Sequence, residues 1–271
     1  MFAMLSDLIT SLTTPMSPAL RGLGYLDEAL DMRRRAGINR AAWQPHLDHT
    51  RRFVLSVAEK CRNRNKAVIL GSGLLLDVPL AELSAHFSEV VLKDVVCFPE
   101  IRKQIRNFAN VTFVEHDVTG VAEHLYRNKQ HAMNQLPEVM PPADDDAGLI
   151  VSLNILSQLW VVPRAFAARN LRGLAADQVD DWCRQLVASH YEWLCTRPGD
   201  VCLIADHAFI KRDHHGTVIS RDTTVYGLAL PPPDASWAWN IVPPGKDARS
   251  ASKELLVGAW HWSRPLASNR D

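Results

Sequence analysis

The sequence predicts an α/β fold, with a mixed sheet that carries helices on both faces. From residue 67 to residue 205, short apolar segments alternate with amphipathic helical segments, the pattern of parallel strands joined by helical crossovers. Near the C-terminus, strand-like segments at 237–242 and 255–262 are joined through Pro243-Pro244-Gly245, and a short connection indicates an antiparallel pair. We therefore expect parallel strands first and an antiparallel hairpin at the C-terminal edge.

The order of elements follows from their periodicity. Residues 1–43 hold short amphipathic segments interrupted by prolines, which predicts an N-terminal helical extension. The main domain is assigned to residues 44–271, with a segment at 207–236 that extends over the ligand-binding cleft. The predicted strands are 67–70, 90–92, 111–114, 148–154 and 201–205, and the predicted helices span about 44–61, 77–87, 99–108 and a long segment from Asp177.

Three local features complete this assignment. Asp77 precedes Pro79, so we expect its carboxylate to cap the following helix, with proline in the first turn. The polar, proline-rich segment 128–146, which includes Asp144-Asp145-Asp146, predicts a solvated loop. The pair His214-His215 lies at the tip of a predicted hairpin, where an exposed turn is favoured over a metal site or a lid.

Composition and charge limit the classes of function. The 271 residues are 47% apolar and 22% charged, as in an ordinary globular protein. The 30 basic and 30 acidic residues balance, which argues against a DNA or long-RNA partner, and no apolar run reaches membrane-spanning length. Because the five cysteines form no CxxC pair and no signal peptide is evident, we expect a reduced, cytoplasmic protein. The sequence leaves open whether the protein forms a homodimer.

The segment around residue 71 is the most informative part of the chain. A β-branched run ends in Gly71-Ser72-Gly73 just before a helical pattern, so a nucleotide-like ligand can approach bare backbone there. The next predicted strand ends in Asp94, which can accept hydrogen bonds from both ribose hydroxyls. Leu76 follows where G-x-G-x-x-G requires a third glycine, and no P-loop is present, so a dinucleotide is disfavoured.

On these residues the chain resembles the class I S-adenosylmethionine-dependent methyltransferases. That family has a Rossmann-like, seven-stranded sheet with a terminal antiparallel hairpin, a glycine-rich loop after its first strand and an acidic residue ending its second. The resemblance implies that Gly71, Ser72 and Gly73 meet the methionyl part of S-adenosylmethionine and that Asp94 holds the ribose. It further implies that Asp117 or the amide of Val118 meets the adenine amine, and that Asn154 contacts cofactor or substrate.

Candidate catalytic groups are sought at the carboxyl ends of strands, where ligands bind in open α/β sheets. Asp206 and His207 follow the fifth predicted strand, and a carboxylate beside an imidazole can deprotonate an acceptor. Tyr226 is a third catalytic candidate. Gln158 and Trp237 are substrate candidates, the latter because alternating tryptophans at 237 and 239 point to one face, as do those at 260 and 262.

No metal site is expected. The pair His46-x-x-His49 places two rings on one helix face, but the sequence offers no matched third ligand. Methyl transfer requires positioning of the nucleophile and exclusion of water more than it requires a dedicated catalytic residue.

The predicted function is therefore methyl transfer from S-adenosylmethionine to a small-molecule acceptor. Two alternatives stay open. The same cofactor nucleus can donate an aminopropyl or aminocarboxypropyl group, which the altered glycine motif leaves possible and product mass would separate. A cofactor-binding or scaffold protein without catalysis is the second alternative, and titration with S-adenosylmethionine and S-adenosylhomocysteine would separate it.

Overall fold

The computed structural model describes residues 2–129, 136–139, 146–244 and 251–264. Most of the loop predicted at 128–146, including Asp144 and Asp145, lies outside these ranges, as does Gly245. The helices are α1 (Phe2–Thr13), α2 (Pro18–Leu23), α3 (Tyr25–Ile38), α4 (Arg40–Lys60), α5 (Leu80–His86), α6 (Pro99–Ile105), α7 (Ala122–Arg127), α8 (Val161–Asn170) and α9 (Ala176–Thr196). The strands are β1 (Lys66–Leu70), β2 (Glu89–Asp94), β3 (Val111–Glu115), β4 (Leu149–Leu153), β5 (Gly199–Arg212), β6 (Val218–Thr223), β7 (Ala235–Val242) and β8 (Ser252–Arg264).

The strands form one mixed sheet in the order β3-β2-β1-β4-β5-β8-β7, and β6 pairs with β5 off this path. Strands β1 to β5 pair in parallel, whereas β6, β7 and β8 join antiparallel. This arrangement confirms the predicted Rossmann-like mixed sheet with an antiparallel C-terminal hairpin. Over the described residues the sheet has eight strands rather than the seven expected, because the hairpin after Arg212 adds β6.

The main departure from the predicted elements is the length of β5. We expected this strand to end at Ala205 and residues 209–212 to form a hairpin with 217–220; the hairpin is confirmed, but its first arm is continuous with β5, which runs to Arg212. Pairing with β4 stops at Ile204, and the backbone beyond it is satisfied by β8 on one side and β6 on the other. The predicted strand end at Asp206 is therefore wrong: the residue lies inside β5, beside a bulge opposite β8.

The sheet is covered by helices on both faces. Alternate residues of β1 and β4 pack on one side against α3, α4, α5 and α6, and on the other against α9. Because β2 and β3 lie on one side of β1, while β5 lies beyond β4, the strand order reverses between β1 and β4. In open α/β sheets such a reversal opens a crevice at the carboxyl ends of the strands. Helices α7 and α8, which the sequence pattern did not predict, pack with α9 on the same face of the sheet.

The N-terminal helices lie over the carboxyl ends of β2 and β3. The backbone N–H of Ser17, the residue before α2, donates to the Glu115 carboxylate at the end of β3, at 3.1 and 3.2 Å. On α3, Arg33 forms an ion pair of 2.9 Å with Glu100 of α6. These contacts fix the start of α2 beside the end of β3 and α3 against α6. Within the described residues, no helix is long and apolar enough to span a membrane.

A buried histidine makes the stability of this fold sensitive to acid. His190 on α9 is 2% exposed, lies 2.9 Å from the Ser152 hydroxyl on β4, and has its pKa lowered by burial to about 3. An unfolded histidine titrates near 6.5, so the unfolded chain binds the extra proton between pH 6.5 and 3. The stability gained by keeping His190 neutral is thus fully present above pH 6.5. Below that pH, the free energy of unfolding decreases by about 1.4 kcal/mol per pH unit through this group.

We therefore expect His190→Gln to flatten the loss of stability on acidification. The unfolding free energy, measured by urea denaturation between pH 7 and pH 4.5, should fall less steeply in this variant than in the parent chain. His214→Gln, at an exposed turn, is the matched control and should leave the slope unchanged. Parallel slopes for the parent and the His190 variant would contradict the assignment.

Candidate active site

The glycine loop after β1 contains two glycines with different structural roles. Both have positive φ, +80° at Gly71 and +46° at Gly73. A Cβ on Gly71 would lie 2.7 Å from the Leu153 carbonyl oxygen and closer still to the Ile155 side chain, so this glycine is required for packing against the end of β4. A Cβ on Gly73 would meet nothing nearer than 3.9 Å. Only Gly73 therefore offers open backbone to a ligand, while Ser72 between them is 2% exposed.

Asp94, at the end of β2, lies directly beside this open glycine. Its Oδ2 accepts the Gly73 backbone N–H at 2.7 Å, and its Oδ1 accepts that of Val96 at 3.3 Å. Burial raises the pKa of this carboxyl, and the backbone donors act in the opposite direction. The structure thus brings together two predicted cofactor residues, a bare backbone and a carboxylate, at adjacent strand ends.

Tyr25, at the start of α3, lies close to this site and was not predicted from the sequence. Burial raises the pKa of its hydroxyl well above the usual value, and the charges of Asp117 and Asp94 act in the same direction. The tyrosine is therefore within electrostatic reach of two predicted cofactor carboxylates. A tyrosine in an N-terminal amphipathic helix carries no local signal that it packs over distant strand ends.

The carboxylate of Asp117 is engaged by the turn that follows β3. Its Oδ1 accepts the backbone N–H and the hydroxyl of Thr119, at 3.0 and 2.6 Å, and its Oδ2 accepts the Ala122 N–H at 2.8 Å. These bonds hold the start of α7. Val118, the other residue predicted near adenine, has a side chain that is 8% exposed and packs in the α9-side core.

The third predicted contact, Asn154, joins a polar cluster that we call the Asp77 recess, formed by Asp77, Asn154, His46 and Trp237. Asn154 follows β4 with a positive φ of 52° and is 6% exposed. Its Nδ2 donates to Asp77 Oδ2 at 2.8 Å, whereas its Oδ1 is buried without a partner among the described residues. The N-cap role predicted for Asp77 is wrong, because α5 begins only at Leu80 and the carboxylate instead binds Asn154.

Protonation in the Asp77 recess follows from burial. Desolvation raises the pKa of Asp77 to about 6 and lowers that of His46 to about 3, so the imidazole is neutral at pH 7. The indole N–H of Trp237 donates to His46 Nδ1 at 2.9 Å, which places the histidine proton on Nε2. The 3.5 Å separation of that nitrogen from Asn154 Nδ2 is a contact between two donors and not a hydrogen bond.

The two alternating tryptophan pairs lie on opposite faces of the sheet. Trp237 and Trp239 face α4, where the Trp239 ring stacks on His46 with centroids 4.0 Å apart and Trp237 stacks on His49 at 5.5 Å. Trp260 and Trp262 belong instead to the core that includes α9. The shared face within each pair is confirmed, and the aromatic side of the Asp77 recess comes from the first pair. No group of three or more potential metal ligands occurs among the described residues, so the pair His46 and His49 lacks a third ligand there.

Asp206 and His207, the predicted acid–base pair, have separate partners. The Asp206 carboxylate is 4% exposed and accepts the Ser157 hydroxyl at 2.6 Å, and burial raises its pKa. The His207 imidazole lies edge-on to Trp260, with centroids 6.3 Å apart. Asp206 therefore ties β5 to the loop after β4.

The remaining two predicted residues lie on different elements. Tyr226 has a positive φ of 51° and donates its hydroxyl to Asp180 of α9 at 3.3 Å. Gln158 is exposed, and its Nε2 donates to the Asn154 carbonyl oxygen at 2.7 Å. The structure thus brings Gln158 next to the Asp77 recess and anchors Tyr226 on the α9 side.

Comparisons with known proteins give similarity to solved structures only. No family model and no curated protein matches the sequence. One similar structure is the 1,6-didemethyltoxoflavin-N1-methyltransferase of Burkholderia thailandensis with bound S-adenosylhomocysteine, at 12% identity and a TM-score of 0.42, covering 91% of this chain and 92% of that one. Another is the N-methyltransferase NodS of Bradyrhizobium japonicum, at 12% identity and a TM-score of 0.34, covering 79% and 85%. At these values nothing about activity or ligands follows from the similarity.

The different surroundings of the two glycines predict different effects of alanine. Gly71→Ala should destabilise the fold by about 3 kcal/mol, since a Cβ forced into packed atoms adds to the strain of positive φ. Gly73→Ala should lose only about 1 kcal/mol, from backbone strain alone. Urea denaturation of both variants measures the difference, and equal losses would contradict the packing role of Gly71.

Proposed function

We propose that this protein transfers a methyl group from S-adenosylmethionine to a small-molecule acceptor at the carboxyl ends of β1, β2 and β4. The observation that carries the proposal is the open backbone of Gly73, hydrogen-bonded at 2.7 Å to a carboxylate at the next strand end. A backbone segment without a side chain, next to a carboxylate and near the point where the strand order reverses, is suited to a ligand that contains ribose.

Each part of the site has a binding role in this proposal. Asp94 accepts the ribose hydroxyls with the lone pairs that Gly73 and Val96 leave unused. The backbone of Gly73 lies against the methionyl part, and Tyr25 covers the adenosine side. For the adenine amine, which donates N–H groups, we assign the Asp117 carboxylate, whose Oδ2 accepts the Ala122 N–H and keeps a second lone pair.

When bound, S-adenosylmethionine supplies an electrophilic methyl carbon. The protein has to hold the acceptor near it and exclude water, and orientation of this kind accounts for a large part of the rate enhancement in such reactions. The Ser17 and Arg33 contacts place the N-terminal helices beside the end of β3 and against α6. The lack of net charge favours a small acceptor over a nucleic acid.

The ribose assignment is tested by calorimetric titration with S-adenosylhomocysteine. Asp94→Asn retains an oxygen for the Gly73 N–H but removes the charge, and should weaken binding by roughly 10- to 100-fold, since hydrogen bonds to charged groups contribute about 1.5–3 kcal/mol. Asp181→Asn, at a surface carboxylate on α9, is the control and should bind like the parent chain. Unchanged affinity in the Asp94 variant would refute the ribose contact.

The type of group transferred is tested by the nucleoside product. Methyl transfer releases S-adenosylhomocysteine, whereas aminopropyl or aminocarboxypropyl transfer leaves methylthioadenosine. Incubation of the protein with S-adenosylmethionine and a set of amine, hydroxyl and thiol acceptors, followed by mass spectrometry, should yield S-adenosylhomocysteine and an acceptor heavier by one methyl group. If the parent chain bound neither S-adenosylmethionine nor S-adenosylhomocysteine, the proposal would be abandoned.

A further inference from the structure

The Asp77 recess adjoins the glycine loop but takes no part in the ribose and adenine contacts proposed above. Asp77 lies four residues after Gly73, and its carboxylate is fixed by Asn154, which follows β4 on the other side of the strand-order reversal. The side chain of Asp77 is partly buried and partly accessible. The recess therefore borders the region where the methionyl part of the cofactor would end and an acceptor would begin.

The polar atoms that remain free on Asp77 and Asn154 are hydrogen-bond acceptors, while the Nε2–H of His46 is a donor. Asn154 uses its Nδ2 on Asp77, and its buried Oδ1 has no partner in the described part of the chain. A carboxylate accepts several hydrogen bonds, and one from Asn154 leaves Asp77 with capacity for more. A group that satisfies these atoms has to bring N–H or O–H donors, and beside a carboxylate a positive charge is favoured.

The nearby cation does not occupy this carboxylate. Arg51 of α4 is close enough to lower the pKa of Asp77 by its charge. Its guanidinium, however, donates to the carbonyl oxygen of Leu76 and forms an ion pair with Asp48 at 3.4 Å. Asp77 therefore has the Asn154 amide as its side-chain partner and no ion pair within the described residues.

An aromatic wall borders the same recess. The Trp237 indole is partly exposed and held in place by its N–H bond to His46 and by stacking with His49. Faces of tryptophan rings attract cations and pack against planar or apolar groups. A carboxylate beside such a wall is suited to an amine attached to an apolar or aromatic body.

We propose that the methyl acceptor is an amine whose nitrogen binds Asp77 and the side-chain oxygen of Asn154, with its apolar body against Trp237. This inference rests on the proposed function. On reaction, an N–H bond of the bound ammonium breaks and the proton passes to a carboxylate oxygen of Asp77, while the electron pair stays on nitrogen. The nitrogen lone pair then bonds to the methyl carbon while the carbon–sulfur bond breaks, and the electron pair of that bond stays on the sulfur of the departing S-adenosylhomocysteine. The pKa of Asp77, about 6, lets the carboxylate be ionised at pH 7 and still accept a proton.

The test compares an ammonium probe with its neutral counterpart. Phenethylammonium and 2-phenylethanol are titrated into the complex of the protein with S-adenosylhomocysteine, using the parent chain, Asp77→Asn and, as a matched surface control, Glu82→Gln. We expect the ammonium to bind the parent and the control alike, at least tenfold more weakly to the Asp77 variant, and the alcohol to bind all three weakly and equally.

Several outcomes would overturn the proposal. If the ammonium does not bind, or binds Asp77→Asn as tightly as the parent chain, the Asp77 carboxylate is not part of an amine site. If the alcohol binds as tightly as the ammonium, the positive charge is not recognised. If Asp77→Asn weakens S-adenosylhomocysteine but not its analogue without the amino group, the carboxylate holds the cofactor rather than an acceptor.

Three further measurements separate these outcomes from misfolding and from failure of the proposed function. Urea denaturation of Asp77→Asn shows whether the variant folds, and the oxygen of the introduced amide can still accept from Asn154, so we expect a folded chain. The S-adenosylhomocysteine titration of the parent is recorded first, and its failure concerns the proposed function alone. The ammonium titration is also run without the nucleoside, where selective binding that requires Asp77 would support the amine subsite independently of the cofactor.

Discussion

The hydrogen bond between the Gly73 N–H and the Asp94 carboxylate is the contact on which the candidate site depends. It joins the loop after β1 to the end of β2 and needs a residue that tolerates positive φ. Because the carboxylate is desolvated, its pKa is raised, and the backbone donors oppose that effect by stabilising the charge. A bare backbone and a fixed acid thus lie side by side at neighbouring strand ends.

Among the described residues, three carboxylates with raised pKa values lie near the carboxyl ends of the parallel strands, and each is held by a different kind of donor. Asp94 is bound by backbone N–H groups, Asp206 by the Ser157 hydroxyl and Asp77 by the Asn154 amide. Asp206 has a structural role, because its hydrogen bond with Ser157 ties β5 to the loop after β4. Of these three, Asp77 borders both an aromatic wall and a buried oxygen that lacks a partner in the described part of the chain. For this reason we assign Asp77 to binding of the methyl acceptor and not to a structural role.

Helices and strands could be predicted from the sequence where the pattern of apolar residues within the element reports its burial. The buried strands β1, β2 and β4 and the helix α9 were predicted because apolar runs and helical spacing report burial directly. The prediction was wrong where tertiary pairing decides the outcome. β5 runs on past Ala205 because β6 and β8 satisfy its backbone, and α5 starts at Leu80 because Asn154 binds the carboxylate of Asp77. Strand β6 follows β5 after a short turn, whereas β8 and Asn154 are distant in sequence from the groups they bind.

The amino-acid pattern is enough to specify the α/β class, a glycine loop after the first strand and an acid one strand later, because strand ends and φ preferences are encoded within a few residues. Which glycine is open and which polar groups meet depends on tertiary packing. Residues as distant as His46, Asp77, Asn154 and Trp237 come together because the strand order reverses between β1 and β4 while β7 packs against α4. Burial in that position raises the pKa of Asp77 and lowers that of His46, and these shifts give the recess its chemistry.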